Sequence, residues 1–361
     1  MTREILRQLS DGKAFKPAPS LWEMADSHVP FDELGVTVAP EPRVRSGIVE
    51  GTGLVIVQGA SGSGKSTTLA HVAANLAGEA TPTTEPRRYL PVFVPVAGRV
   101  EATRNLEAFG QAAIREVLAA ITASLSPDQR DRLTRALADQ VTRQHSGAKF
   151  NARAALKLFG LVDVGAGVQL GGDVVSIVGT SALDGRGRGR RHLVCAGPRG
   201  FELVVCVEDT DAWAQSDRIQ DARDFFGAVA RPLASEVDIA VAIAVQDTWL
   251  DGPEVLDEVA AVCERAITVA GVPRPASEAV ARTMVERIVD RRIVLAFDDE
   301  DVGREYPAVR LFTSGALDVL GHVLFTSGSV RTPLTVVRDV LDRHAEDLPD
   351  RFSDQHVLDV L

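Results

Sequence analysis

The sequence predicts an α/β fold, a parallel sheet flanked by helices, followed by a smaller all-helical region. Three observations predict it. Short runs rich in β-branched residues (Gly53–Gln58, Tyr89–Val96, Leu203–Val207, Ile239–Val245 and Ala266–Ala270) recur along the chain with the length and composition of buried strands. Stretches with apolar spacing near 3.6 separate them, and strands that alternate with helices pair in parallel through crossovers. Beyond residue 271 only helical spacing remains.

Residues 1–45 read as an N-terminal extension, an apolar and charged stretch (Met1–Leu9) followed by Pro17, Pro19, Pro30, Pro40 and Pro42. The core is expected over 46–270, with an insertion at about 125–200, and the helical region over 271–361. Within the core, Gly59–Gly64 is a glycine-rich turn and Lys65–Leu76 a helix. Thr81–Arg88 is a loop. Tyr89–Val96 reads as a second strand, although its prolines count against one. Leu106, Phe109, Ile114, Val117, Leu118 and Ile121 form one helical face. Ser126-Pro127 opens a second helix, continued by Leu133, Leu137 and Val141. Leu161–Leu170 and Asp173–Val178 flank Gly171-Gly172, the pattern of a β-hairpin. Gly185–Arg191 reads as a basic loop, and Arg218–Val229 as a helix. Val280, Met284 and Ile288 mark one helix of the final region; Leu334, Val337 and Leu341 mark the last long one.

Composition excludes several classes of function. Basic residues number 39 and acidic ones 50, a net charge of −11, which opposes avid, unaided nucleic-acid binding. Aromatic residues make up only 5%, which weakens any reading based on a base-stacking platform for single strands. Cys195, Cys206 and Cys263 form no CxxC pair, so neither a disulfide scaffold nor a structural zinc site is expected. Histidines 28, 71, 145, 192, 322, 344 and 356 show no metal-binding spacing, and no GxSxG motif is present. No apolar run approaches the roughly 18 residues of a membrane span, and the charged start is unlike a secretory signal. The expected location is cytoplasmic.

One motif carries specific chemistry. Gly59-Ala60-Ser61-Gly62-Ser63-Gly64-Lys65-Ser66 fits GxxxxGK[ST] in full, between a buried strand and a helix. Glycines let successive backbone N–H groups turn inward around phosphate oxygens, and the helix N-terminus adds positive potential. In that context Lys65 reaches the β- and γ-phosphates and the Ser66 hydroxyl ligates Mg²⁺, with Thr67 completing the first helical turn. The cofactors expected are ATP and Mg²⁺. Leu203–Val207 ends in Glu208-Asp209. An acid at a strand end can hold Mg²⁺ and a neighbouring carboxylate can orient the attacking water. Glu208 is assigned to metal and Asp209 to water; the two could be exchanged, and Asp211 is a third candidate.

With these two elements the chain resembles the AAA+ P-loop ATPases, in particular the branch of origin-recognition initiators, transposon target-selection ATPases and prokaryotic signalling ATPases. The resemblance covers roughly residues 46–345 outside 125–200. It implies a polar γ-phosphate sensor after the next strand, for which Gln246 is the choice and Thr248 the next. It implies an arginine before the last core strand that reaches into a neighbouring subunit, a place held by Arg265; the alternative is an exposed arginine paired with Glu264 or Asp257. It implies a lid-helix arginine above the γ-phosphate, matched by Arg331 in Gly328-Ser-Val-Arg331-Thr-Pro-Leu334. A cation at a helix N-terminus is unfavourable unless an anion is near.

Initiators of this branch carry a winged-helix domain after the lid, and this chain is expected to lack one. Arg186, Arg188, Arg190 and Arg191 would contact phosphates only if an assembly aligned them. The expectation is therefore a homo-oligomeric ATPase that switches a partner protein, in DNA transactions such as transposition or defence against mobile elements. The alternative is a nucleotide-gated signalling scaffold with little turnover that docks through 125–200. A small-molecule kinase is a weaker third reading, opposed by the lid arginine.

Overall fold

The computed structural model describes residues 2–11, 15, 21–50, 53–78, 88–96, 100–106, 108–110, 112–113, 116, 167–170, 173–183, 189–196, 201–208, 210–213, 218–236, 240–251, 255–297 and 300–361. The strands are β1 (Gly53–Gly59), β2 (Arg88–Pro95), β3 (Gly167–Leu170), β4 (Asp173–Leu183), β5 (Gly189–Ala196), β6 (Phe201–Glu208), β7 (Ala240–Gln246) and β8 (Thr268–Gly271). They form one sheet in the order β3-β4-β5-β6-β7-β1-β8, with β2 paired to β6.

The five strands expected from the sequence, β2, β6, β7, β1 and β8, make its parallel part. Val92 lies opposite Val205 across β2 and β6, and Val207 opposite Ile243 across β6 and β7. β2 pairs with β6 alone among the described strands, which is how it tolerates Pro91 and Pro95, residues that cannot donate to a ladder. β3 and β4 pair antiparallel, as the expected hairpin requires, with Val168 opposite Val175. β4 runs further than expected, to Leu183, and pairs with β5. Arg190 and Arg191 therefore stand in a strand, opposite Ala182 and Ser181, and not in a loop. The run His192-Leu-Val-Cys-Ala196 supplies the strand-forming residues that extend pairing back to Gly189. The expected helix at 126–141 lies outside the described residues.

The helices are α1 (Thr2–Asp11), α2 (Leu21–Asp26), α3 (Pro40–Glu50), α4 (Lys65–Gly78), α5 (Val100–Arg104), α6 (Ile219–Phe225), α7 (Arg231–Glu236), α8 (Asp257–Cys263), α9 (Glu278–Leu295), α10 (Glu300–Arg304), α11 (Ala308–Leu311), α12 (Ser314–Ser327), α13 (Arg331–Arg343) and α14 (Asp354–Leu358). The helix expected over 218–229 is interrupted: α6 passes through a π-helical turn, Phe226–Ala230, into α7. Among the described residues no helix is long and apolar enough to cross a membrane.

The chain divides into two compact units. Unit one comprises residues 1–43, 57–72 and 270–361; unit two comprises 44–56 and 73–269. The N-terminal extension and the phosphate-loop segment thus group with the final helices. In unit two, buried Val94, Val205, Val207 and Ile243 meet a chain of aromatic rings. Trp213 lies 5.2 Å from Phe225, Phe225 lies 5.4 Å from Phe226, and Phe226 lies 6.0 Å from Trp249. The scarce aromatics are concentrated where the turns after β6 and β7 must be held.

In unit one, α9 and α12 pack through Met284, Val285, Val289, Leu317, Leu320 and Leu324. Ser277 and Thr313 cap their N-termini. The amphipathic α1 buries Ile5, Leu6 and Leu9 and packs on α13. At the α9–α12 crossing a Cβ on Gly321 would lie 2.7 Å from the Arg282 Cα. The obstacle is backbone and cannot yield. Gly321→Val is therefore expected to destabilise the protein by about 1–3 kcal/mol, read as a drop of several degrees in Tm. An unchanged melting curve would show that the helices separate freely there.

Candidate nucleotide-binding site

The phosphate loop links the buried β1 to α4, and its shape rests on two residues in left-handed backbone, Gly62 (φ 72°) and Gly64 (φ 106°). Side chains with a Cβ rarely adopt that conformation. The Ser63 N–H donates to the Ala60 carbonyl at 3.2 Å and the Thr68 N–H to the Gly64 carbonyl at 2.8 Å, so the loop closes directly into the helix. The Thr67 and Thr68 hydroxyls also donate to the Gly64 carbonyl, at 2.7 and 2.9 Å. α4 has no acid in its first turn, so its dipole is left for a ligand anion.

Lys65 is 3% exposed. Its Nζ donates to the carbonyls of Gly59 at 3.1 Å and Ala60 at 2.8 Å. A buried ammonium needs polar partners, and these two carbonyls are among those of Lys65. Ser63 Oγ is buried without a hydrogen-bond partner among the described residues. It stands so close to Gly59 that a Cβ there would be 2.7 Å away. A buried cation, an unsatisfied hydroxyl and a tight glycine cradle together fit a polyphosphate. Ser66, half-buried in the first turn of α4, fits the hydroxyl ligand of a magnesium ion held with it.

Helix α13 meets this loop. The Arg331 N–H, first in α13, donates to the Gly62 carbonyl at 3.2 Å. A Cβ on Gly62 would fall 3.0 Å from the Arg331 Cβ and against the Ser329 hydroxyl. α13 has no side-chain cap and no acid in its first turn. The Arg331 side chain is exposed and makes no hydrogen bond or ion pair with a described residue. Ser329 was not singled out in the sequence. Its signal was its place two residues before Arg331, in the turn that follows Gly328 (φ 64°).

The second helical turn of α4 carries His71, which is half-buried and lies 4.7 Å from the His28 ring. Burial, and then the charge of His28, lower its pKa. His28 in turn meets Glu41 at 2.7 Å. His71 is thus a packing residue that ties the N-terminal extension to the phosphate-loop helix.

In unit two, β6 ends at half-buried Glu208, whose carbonyl accepts from the Val96 N–H at 3.2 Å. Asp209 lies outside the described residues. The Thr210 hydroxyl is buried and donates to the Ala244 carbonyl at 2.7 Å. Gln246, at the end of β7 and 2% exposed, donates from Nε2 to Asp211. The structure therefore brings together Gln246 and Asp211, and it separates them from Thr248, which is exposed in the next turn. Arg265 is exposed between α8 and β8. It pairs with neither Glu264 nor Asp257, and its side chain makes no hydrogen bond or ion pair with a described residue. Arg186 and Arg188 lie outside the described residues. Among those residues, no group of three His, Cys, Asp or Glu could hold a metal by itself.

The architecture has solved counterparts. The Aeropyrum pernix ORC1 protein, solved in complex with DNA, superposes with a TM-score of 0.51 at 12% identity, over 96% of this chain and 68% of that one. The chain resembles the AAA+ P-loop ATPases of the origin-initiator branch. Beside ORC1, the Aeropyrum pernix ORC2 protein in its ADPNP and ADP complexes gives 0.48 at 12% identity, over 96% and 70% of the two chains. Drosophila ORC bound to DNA gives 0.39 at 16% identity, over 96% and 67%. No protein-family model matches the sequence, and no curated protein matches it. The origin-initiator likeness is one of fold, and the roles of individual residues rest on the geometry above.

Proposed function

We propose that this protein is a Mg²⁺-dependent ATPase of the AAA+ type that works as an oligomeric switch on a partner protein in DNA transactions. The observation that carries the proposal is the meeting of α13 with the phosphate loop. A helix N-terminus without a side-chain cap, and an arginine without a side-chain partner among the described residues, are set against a loop that already holds a buried lysine. Three positive features at one place need an anion with several charges, and a nucleoside triphosphate supplies it.

Residues 59–67 would wrap the phosphates, with Lys65 at the β- and γ-phosphates. Ser66 and Glu208 would hold the magnesium ion, which when bound neutralises charge on the phosphate oxygens. Asp209 would orient the attacking water, Gln246 would report the γ-phosphate, and Arg331 would draw the lid down on it. Arg265, exposed and without a side-chain partner among the described residues, suits a role in a neighbouring copy's site, where a guanidinium offsets transition-state charge. Transposition or defence against mobile elements would suit such a switch, and DNA would then act through the assembly, since the chain carries a net charge of −11.

The test is ATP hydrolysis by the purified protein with and without duplex DNA. Arg265→Ala is expected to lower turnover by at least about 100-fold while ATP binding persists, and mixing it with Lys65→Ala is expected to restore part of the activity. Full activity in Arg265→Ala would sink the shared-site reading. Binding without turnover in the unaltered protein would favour a nucleotide-gated scaffold instead.

A further inference from the structure

The structure assigns a role to Asp211 that neither the phosphate-loop motif nor the fold supplies: it is a positioning residue that sets the direction of the Gln246 amide. The inference rests on the ATPase reading above, with Gln246 as the group that senses the γ-phosphate.

A glutamine amide has a donor end and an acceptor end of nearly the same shape. Packing alone selects poorly between them, so electrostatics must choose. Gln246 is almost wholly buried at the end of β7, where turning the amide over would alter what it offers a ligand. A carboxylate can only accept, and the Asp211 carboxylate receives the Gln246 Nε2–H. Only the nitrogen end can face it. The oxygen is directed elsewhere, and the second N–H remains as a polarised donor.

The chain fixes this pair from both sides. The parallel register sets Val207 opposite Ile243, which brings the first residues after β6 beside the last residues of β7. The Thr210 hydroxyl bonds the Ala244 carbonyl at 2.7 Å, two residues before Gln246 and one before Asp211. The turn carrying Asp211 (Thr210–Trp213) and the turn after Gln246 (Asp247–Trp249) each end in a wholly buried tryptophan. Trp213 and Trp249 are joined through the rings of Phe225 and Phe226. Both turns are therefore anchored to one aromatic core, and the Asp211–Gln246 contact has little freedom to drift.

The experiment compares Asp211→Asn, Gln246→Glu and the double variant with unaltered protein, and Lys65→Ala is run alongside. Asparagine keeps the shape of Asp211 but can either donate or accept, so the amide at 246 loses its fixed direction. Asp211→Asn is expected to lower kcat by about tenfold or more with KM within about twofold. The double variant reverses the pair, with an amide at 211 donating to a carboxylate at 246. It is expected to recover the thermal stability lost in either single variant but not kcat. Unchanged kcat in Asp211→Asn, or recovery of kcat together with stability in the double variant, would reduce Asp211 to a packing residue. If the unaltered protein shows no turnover that Lys65→Ala removes, the ATPase reading fails by itself. Asp211 is then tested by the ratio of ADP to ATP dissociation constants: a smaller ratio in Asp211→Asn upholds the assignment, and an unchanged ratio overturns it.

Discussion

Lys65→Ala is expected to abolish ATP turnover, with a loss of at least about 100-fold, and to leave the fold intact or slightly more stable. Both halves follow from where the ammonium sits. It is buried and held by the carbonyls of Gly59 and Ala60, an arrangement that keeps a charge out of water at a cost. On the ATPase reading the charge is needed when phosphate arrives, because an ammonium at the β- and γ-phosphates acts where negative charge spreads during transfer. Removing it removes the desolvation cost together with the function. Lys65→Arg is expected to fail as well. Its charge is kept, but a planar fork does not fit a cradle in which Ser63 Oγ and Val272 Cβ stand close to Gly59. Phosphate release and a thermal melt on the same preparations decide it. Turnover at the unaltered rate in Lys65→Ala would remove the site from consideration, and a large fall in Tm would make Lys65 a structural residue.

Much of this was legible in the sequence because it depends on short-range pattern. The five parallel strands were visible as apolar runs, since a strand covered on both faces excludes polar residues. The phosphate loop was visible because the chemistry demands glycines and one lysine at fixed spacing. The run into β5 was hidden: glycine and arginine alternate over Gly185–Arg191, and only pairing with β4 makes its last three residues, Gly189–Arg191, extended. The π-helical turn at Phe226–Ala230 was hidden too, because the apolar spacing of 218–229 fits a continuous helix. Long-range pairings carried no local signal at all. Nothing near Asp211 announces Gln246, thirty-five residues on. Nothing near Gly62 announces Ser329, and Arg331 was expected near the phosphates only through the family resemblance. Conversely, Arg265 is exposed and does not pair with Glu264, although Glu264 beside it in the sequence suggested a partner.

Gly62→Ala is expected to weaken ATP binding by about tenfold or more, and two separable causes contribute. The first is backbone conformation. At φ 72° a Cβ costs about 1–2 kcal/mol, which by itself corresponds to about tenfold in affinity if the loop must keep its shape to bind. The second is the lid. The added methyl would press on the Ser329 hydroxyl and come 3.0 Å from the Arg331 Cβ, at the point where the Arg331 N–H donates to the Gly62 carbonyl. The lid would have to move away from the loop, and an arginine at the head of α13 would move with it. Ser329→Gly separates the two causes, because it removes the hydroxyl and leaves the backbone angle at residue 62 as it was. The double variant Gly62→Ala/Ser329→Gly is expected to recover the part of the steric share that Ser329 causes and none of the conformational share. A titration with a fluorescent ATP analogue, set beside the Arg331→Ala variant, reads both. If the double variant binds no better than Gly62→Ala, Ser329 yields without cost and the lid does not bear on the loop. If Gly62→Ala binds as tightly as the unaltered protein, neither the left-handed turn nor the lid contact governs access to the phosphates.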